Sequence, residues 1–74
     1  MEEQFLQKFK EVLEVTDRNL SLTDKFRSYE EWDSLAFLSL IAMIDEEYDV
    51  IIDGKDFKQL ETVADIIQAV KERK

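Results

Sequence analysis

Asp33-Ser34-Leu35 is the part of the chain whose residue types and position are best suited to chemistry. Asp33 can accept hydrogen bonds from the free amides of a first helical turn, so the pattern predicts a helix that begins at Asp33-Ser34. The amides and the positive dipole end of such a helix would stabilise a phosphate ester on Ser34. No His or Lys lies near Ser34 to activate its hydroxyl, so a separate enzyme would have to modify it. The plainer alternative is that Asp33 or Ser34 simply caps the helix.

Composition excludes most other chemistries. The 74 residues include no Cys, no His and no Pro, so there is no thiolate, no imidazole base, no disulfide and no zinc site of the usual kind. The single glycine, Gly54, cannot form a glycine-rich phosphate loop. Residues 49–60 resemble a calcium loop in part, but Ile51 and Leu60 stand where oxygen ligands are required. We therefore predict a protein that is not an enzyme and has no metal site.

Charge is concentrated in the middle of the chain. The net charge is -8, and residues 28–54 contain eight acidic residues without any Lys or Arg. Such acidity argues against nucleic acid and anionic membranes as partners and favours basic proteins. Asp45, Glu46 and Glu47 would crowd the negative end of a helix dipole with no Lys four residues away, which favours partner binding over stability as their role. The alternative is an ordinary solvated face.

Hydrophobic periodicity predicts one all-α domain over residues 1–74, built as a four-helix bundle with three main helices, one short third helix and a long first loop. The predicted segments are a first helix at 2–14, a loop at 15–32, a second helix at 33–48, a short third helix at 53–59 and a fourth helix at 62–71. The fourth helix begins at Thr62 and Asp65, which resemble a capping box. Val50, Ile51 and Ile52 have no second run to pair with as a strand and are interpreted as a buried connector.

Apolar residues indicate how these elements pack. Along the second helix they form a wide stripe, and in the loop five larger side chains are expected to anchor it. The predicted stripe is Phe37, Leu38, Ile41, Ile44 and Tyr48, widened by Leu40 and Met43, and the predicted anchors are Leu20, Leu22, Phe26, Tyr29 and Trp32. The N-terminus lacks the layout of an export signal, and the longest nearly apolar run, 35–44, is too short to span a bilayer. We expect a cytoplasmic protein.

The sequence resembles the acyl carrier proteins and their carrier-domain relatives. The likeness lies in Asp33-Ser34-Leu35, in the apolar helix that follows and ends in Glu46-Glu47-Tyr48, and in residues 60–67, where Thr62-Val63 opens the last helix. Together these segments span about half of the chain, and its whole length fits the family.

The resemblance implies a specific role for Ser34. In this family the serine of the Asp-Ser-Leu motif, which here comprises Asp33, Ser34 and Leu35, is linked by a phosphodiester to phosphopantetheine from coenzyme A. A magnesium-dependent phosphopantetheinyl transferase makes that link. The terminal thiol of the attached group then carries acyl or aminoacyl groups as thioesters. The implied partners are that transferase, an acyl-loading enzyme, and synthases or transferases whose basic patches dock on acidic residues such as Asp45, Glu46 and Glu47. We expect a monomer.

The sequence also departs from the family pattern near the serine. Carriers of fatty acid synthesis have acidic residues two and five places after the serine, but Ala36 and Ser39 stand there in this chain. This favours a carrier of a specialised pathway, whose partner would contact Trp32, Leu35, Ala36 and Ser39. The alternative for Trp32 is a core residue that plugs the first loop.

The family's shelter for the acyl chain lies between the second and third helices. The residues expected to line or fill it are Phe37, Leu38, Ile41, Ile52, Phe57, Leu60 and Ile67. Phe37 and Phe57 are large, so we expect a small cavity that holds long chains poorly. From the residues alone, the rival function is an adaptor that binds basic proteins through its acidic face and is never modified.

Overall fold

Four α-helices and one 3-10 turn form the computed structural model, which describes residues 2–73. The helices are α1 (Glu2–Leu13), α2 (Ser34–Tyr48), α3 (Gly54–Phe57) and α4 (Val63–Arg73), and the 3-10 turn is Phe26–Ser28. Over the described range there is no β-strand, and a single antiparallel bridge joins Lys25 to Thr62. The prediction of an all-α bundle with a short third helix and a long first loop is confirmed.

The helix ends follow from the capping residues. Asp33 accepts a hydrogen bond from the Ala36 amide at 2.8 Å, and Asp53 caps α3 in the same way. The capping box before α4 is also present, because Thr62 Oγ1 accepts from the Asp65 amide while Asp65 accepts from the Thr62 amide. The first helix ends one residue earlier than predicted, since Glu14 adopts a left-handed conformation with φ 59°.

The core contradicts one part of the predicted α2 stripe. Leu38 is 60% exposed, and Phe37 and Ile41 are only partly buried. The face of α2 that packs inward consists of Ala36, Leu40, Met43, Ile44 and Tyr48. Residues 35–44 are apolar on nearly all sides, so the periodicity of the sequence alone could not select the inward face.

The connector after α2 is buried at only two of its three apolar positions. Val50 and Ile52 lie in the core, whereas Ile51 is 73% exposed and the prediction for it was wrong. Alternate residues of a non-helical segment face opposite sides, so Ile51 points away from the core that its two neighbours enter.

The first loop is fixed to the start of α4. The carbonyl oxygens of Leu22 and Asp24 accept hydrogen bonds from the Ala64 and Val63 amides at 2.9 and 3.0 Å, respectively. The five predicted anchors are all buried or half-buried. The loop therefore serves two purposes, because it satisfies amides of the first turn of α4 and covers the core.

Across residues 2–73, every helix is too short or too polar to span a bilayer.

Candidate functional site

Ser34 is the first residue of α2, and its side chain is exposed. Asp33 fixes this position as the N-cap of α2. Its carboxylate accepts a hydrogen bond from the Ala36 amide, and its carbonyl oxygen accepts one from the Phe37 amide at 3.0 Å. The Ser34 hydroxyl is thus placed at the positive end of the α2 dipole, next to one carboxylate that offsets part of that field. The geometry leaves the hydroxyl open to an incoming enzyme.

Beside Ser34 lies an open cleft of about 460 Å³ between the start of α2 and the α3 region. This cleft, which we call the serine cleft, combines aromatic walls with two cationic side chains. Its lining residues are Arg27, Trp32, Asp33, Ser34, Phe37, Gly54, Phe57 and Lys58.

The walls of the serine cleft are packed aromatic rings. Trp32 and Phe57 stack nearly parallel, with an interplanar angle of 6° and ring centroids 6.0 Å apart. Phe37 meets Phe57 edge to face at 5.1 Å, and Trp32 also packs against Phe26 at 5.0 Å. Aromatic pairs of this kind stabilise one another beyond their buried area. Trp32 thus packs the first loop against the core, which agrees with the alternative prediction that it is a core residue.

The two cationic side chains of the serine cleft differ in conformational freedom. The Arg27 guanidinium donates to the carbonyl oxygens of Leu60 and Phe57, the latter at 3.0 Å, and lies 4.6 Å from the centroid of the Phe26 ring. Lys58 follows the last residue of α3 and is exposed. Arg27 is therefore a fixed positive charge, whereas the ammonium of Lys58 sits on a flexible stem.

The residues predicted for partner docking do not form one uniform surface. Leu35, at 74% exposure, and Ser39 are open to solvent on α2. Ala36 is only 6% exposed, because it lies on the same helical face as Leu40 and Met43, so its assignment to a docking surface was wrong.

At the other end of α2, the three predicted acidic residues Asp45, Glu46 and Glu47 are all exposed. The Lys8 ammonium of α1 lies 3.9 Å from the carboxylate of Glu47, so a residue of another helix partly offsets the negative charge of Glu47. The sequence argument considered neighbours within one helix only and missed this contact.

Of the residues predicted to line an acyl shelter, Phe37 and Phe57 line the serine cleft. Ile52 and Ile67 are buried in the core, Ile41 and Leu60 are half-buried beside it, and Leu38 faces solvent and cannot line an interior space. Sequence reasoning missed Arg27, Gly54 and Lys58. Only their positions next to apolar residues of the loop and α3 could have pointed to them.

One acidic residue next to the site is neutralised locally. Arg18 forms a bidentate salt bridge with the Glu31 carboxylate, with nitrogen–oxygen distances of 2.7 and 3.1 Å. This contact lowers the pKa of Glu31. The field around Trp32 and Ser34 is therefore less negative than the sequence suggests.

A small helical bundle that presents a serine at a helix start, beside a cleft, defines a carrier-type domain. A family model described as the phosphopantetheine attachment site matches residues 3–70. This match spans most of the chain, which therefore belongs to the phosphopantetheine-dependent acyl carrier family, whose cofactor is covalently attached phosphopantetheine.

Among solved structures, the chain is similar to the solution NMR structure of the holo acyl carrier protein from Geobacter metallireducens. The two share 19% sequence identity with a TM-score of 0.83, and the match covers 97% of this chain and 83% of that one. At this level of identity the likeness establishes the fold.

The residues of this site fit the cofactor of the family. The Ser34 side chain is accessible, and the adjoining cleft offers cationic groups for a phosphodiester and aromatic surface for the hydrocarbon that follows it. When attached, phosphopantetheine supplies the thiol that this chain lacks.

Proposed function

We propose that Ser34 is the residue that carries phosphopantetheine. In the attachment step, the Ser34 oxygen forms a bond to the phosphorus that bears the pantetheine group of coenzyme A. The pyrophosphate bond of coenzyme A breaks, adenosine 3′,5′-bisphosphate leaves, and the hydroxyl proton passes to a base of the transferase. The observation that carries this proposal is the exposed Ser34 at the capped start of α2 in a chain of this family.

The chemistry of Ser34 supports its role as a substrate of another enzyme. Its own chain supplies no imidazole or thiolate, and the neighbouring Asp33 carboxylate already accepts the Ala36 amide. A serine without an adjacent base is a weak nucleophile, so activation has to come from the transferase. In this proposal the chain performs no catalysis of its own.

The attached thiol would carry acyl or aminoacyl groups as thioesters and present them to partner enzymes. Exposed Asp45 and Glu46, together with Glu47, offer an acidic surface for a transferase, a loading enzyme or a synthase with a basic patch. We propose that residues 1–74 act as one carrier domain and as a monomer.

We further propose that the pathway is a specialised one and not housekeeping fatty acid synthesis. Near Ser34 the exposed surface of α2 is Leu35, Leu38 and Ser39, which are uncharged. Within α2 itself the acidic residues begin only at Asp45, about three turns away from Ser34. A partner suited to this surface would make apolar contacts near the arm and ionic contacts farther away.

Intact-protein mass spectrometry tests the assignment of Ser34. The protein is incubated with coenzyme A, magnesium and a broad-specificity phosphopantetheinyl transferase, alongside Ser34→Ala and the control Ser39→Ala. Ser39 lies on the same helix and is also exposed, so it controls for the loss of a hydroxyl. We expect one phosphopantetheine on the parent chain and on Ser39→Ala, and none on Ser34→Ala. Modification of Ser34→Ala would refute the assignment, and no modification of any variant would favour an unmodified adaptor.

A further inference from the structure

Positive charge is exposed on the α3 side of this acidic molecule. Lys55 and Lys58 are both exposed and lie one helical turn apart, because Lys58 keeps a helical conformation at the end of α3. Arg27 is exposed as well, and it lines the same cleft as Lys58. We call these three side chains the basic surface. Lys55 does not line the serine cleft, so the basic surface extends beyond it.

Stability does not account for the two lysines of this surface. Like charges one turn apart on a helix repel each other. Asp56 stands between them in the sequence, but its carboxylate is paired with Arg73 at 2.7 Å. Within residues 2–73, none of the three cations of the basic surface forms a salt bridge. Their charges are therefore available to another molecule.

From this arrangement we propose that the basic surface docks an acidic patch of a partner enzyme. It is the same enzyme whose basic patch contacts Asp45, Glu46 and Glu47. Such a partner is bipolar, with opposite charges at the two ends of its contact along α2. The inference rests on the proposed function as a carrier and adds a feature of the partner that the acidic residues alone do not predict.

The two charged surfaces are far enough apart to act separately. The basic surface lies at the Ser34 end of α2, because Arg27 and Lys58 line the same cleft as Ser34. Asp45 lies about 16 Å farther along the helix axis, given a rise of about 1.5 Å per residue. Electrostatic interactions between exposed charges are screened over about 8 Å in physiological salt. The opposite charges of the chain therefore do not neutralise each other.

Opposite charges at the two ends of α2 fix the direction in which a partner lies along the helix. A partner that binds in the reversed direction places its basic patch against the basic surface, and this like-charge contact costs free energy. The correct direction pairs opposite charges at both ends and accelerates the encounter. The basic surface thus selects partners and orients them relative to Ser34.

The experiment maps the binding of two synthetic peptides on the unmodified protein through amide chemical shifts in NMR spectra. One peptide is built of Glu and Ala, and the other has Lys at every Glu position. We expect the Glu peptide to shift the amides of Arg27, Lys55 and Lys58, and the Lys peptide to shift those of residues 45–47. Affinity for the Glu peptide should fall as the salt concentration rises.

A double variant, Lys55→Gln with Lys58→Gln, should bind the Glu peptide about threefold to tenfold more weakly, because two exposed ion pairs are lost. The control is a second double variant, Lys8→Gln with Lys71→Gln, which removes two positive charges from α1 and α4. Lys71 projects from the side of α4 opposite to Arg73, since residues two apart on a helix do not share a face. The control should keep the affinity of the parent chain for the Glu peptide.

The outcomes separate this inference from the proposed function. Equal weakening by both double variants would show an effect of overall charge and overturn the inference. Shifts spread over the whole molecule, or none at the basic surface, would overturn it too. If such a result accompanies a gain of phosphopantetheine by the parent chain, only this inference fails. If the parent chain gains no phosphopantetheine, the proposed function fails, and the partner enzyme of a carrier fails with it even where the Glu peptide binds.

Discussion

Arg27 Nη2 donates a hydrogen bond to the carbonyl oxygen of Phe57 at 3.0 Å, and its guanidinium carbon lies 5.7 Å from the centroid of the Phe57 ring. A second donor of the same side chain reaches the Leu60 carbonyl oxygen. One arginine in the first loop thus holds the end of α3 and the segment before α4. Because α3 is only four residues long, it depends on such contacts with the rest of the fold.

Replacing Arg27 with Met should therefore destabilise the protein. Met keeps an apolar stem of similar length but removes both hydrogen bonds, so the Phe57 and Leu60 carbonyl oxygens lose their charged donor. Hydrogen bonds to charged groups typically contribute about 1.5–3 kcal/mol, and partial exposure of this contact places the expected loss at about 1.5 kcal/mol. Urea unfolding of the parent chain and of Arg27→Met measures this loss in the free energy of unfolding. The control is Lys25→Met, an exposed neighbour, and an equal effect of both substitutions would contradict this role of Arg27.

The two tyrosines form a natural pair for a second prediction. The Tyr48 hydroxyl is buried without a hydrogen-bond partner among the described residues, and burial raises its pKa. The Tyr29 hydroxyl donates to Asp24 at 2.7 Å, and burial together with this bond raises the pKa of Tyr29. One hydroxyl is therefore unsatisfied, and the other is well paired.

Tyr48→Phe should raise the free energy of unfolding by about 1 kcal/mol, because it removes an unpaired buried group and keeps the ring that packs on Phe5. Tyr29→Phe should lower the free energy of unfolding by about 1 kcal/mol, because Asp24 loses the hydroxyl donor and keeps only the Ser21 amide. Urea unfolding of the two variants at neutral pH provides the comparison. Loss of stability in Tyr48→Phe would show that its hydroxyl has a stabilising partner.

The capping box before α4 predicts a pH dependence. Hydrogen bonds from the Thr62 and Glu61 amides lower the pKa of Asp65 in the folded state. Because the folded pKa lies below the unfolded one, the charged carboxylate contributes stability above the unfolded pKa. This contribution is lost as the pH falls through the folded pKa.

Asp65→Ala should thus lower the free energy of unfolding by about 1 kcal/mol at pH 7. The difference in the free energy of unfolding between this variant and the parent chain should become smaller as the pH falls below about 4. Chemical unfolding across this pH range gives both values. The control Glu61→Ala removes a charge from an exposed side chain next to the box. A difference between Asp65→Ala and the parent chain that stays constant down to pH 2 would contradict the assignment to the charged carboxylate.

The sequence predicted those features that depend on neighbouring residues. Asp33 and the pair Thr62 and Asp65 cap helices as expected, because capping uses residues within four positions of one another. The burial of Leu38 and Ile51 was predicted wrongly, because an almost uniformly apolar stretch leaves the inward face to be decided by tertiary packing. The serine cleft was missed for a related reason. Arg27 and Lys58 are separated by 31 positions in sequence and meet only through the packing of the first loop on α3.

The uncharged start of α2 leads to a prediction about partner choice. Ser39 is exposed at one of the two positions where carriers of fatty acid synthesis have an acidic residue. Ser39→Glu should raise the rate at which a malonyl transferase of fatty acid synthesis loads the modified protein by about threefold to tenfold at low salt, because an added charge mainly accelerates encounter with a basic patch. Kinetics of malonyl loading measure the rate. The control Ser39→Gln keeps the size without the charge, and an equal rate for both variants would refute the electrostatic explanation.

The packing between α2 and α3 predicts whether a long acyl chain can stabilise the fold by binding inside it. Ile52, Ile67 and Phe57 are all buried in the core, so they fill the space that the shelter for an acyl chain would need. The serine cleft is the neighbouring open volume, and it is bounded by the stacked rings of Trp32 and Phe57.

Thioesters of the modified protein with long and short acyl chains should therefore have melting temperatures within about 2 °C of each other, since a ligand stabilises only the state that binds it. Differential scanning calorimetry of hexanoyl and hexadecanoyl forms tests this. Phe57→Ala provides the complementary variant, because removing the ring should open space next to the cleft and let the long chain stabilise the fold. A marked rise in Tm with hexadecanoyl on the parent chain would show that Phe57 and its neighbours move aside to admit the chain.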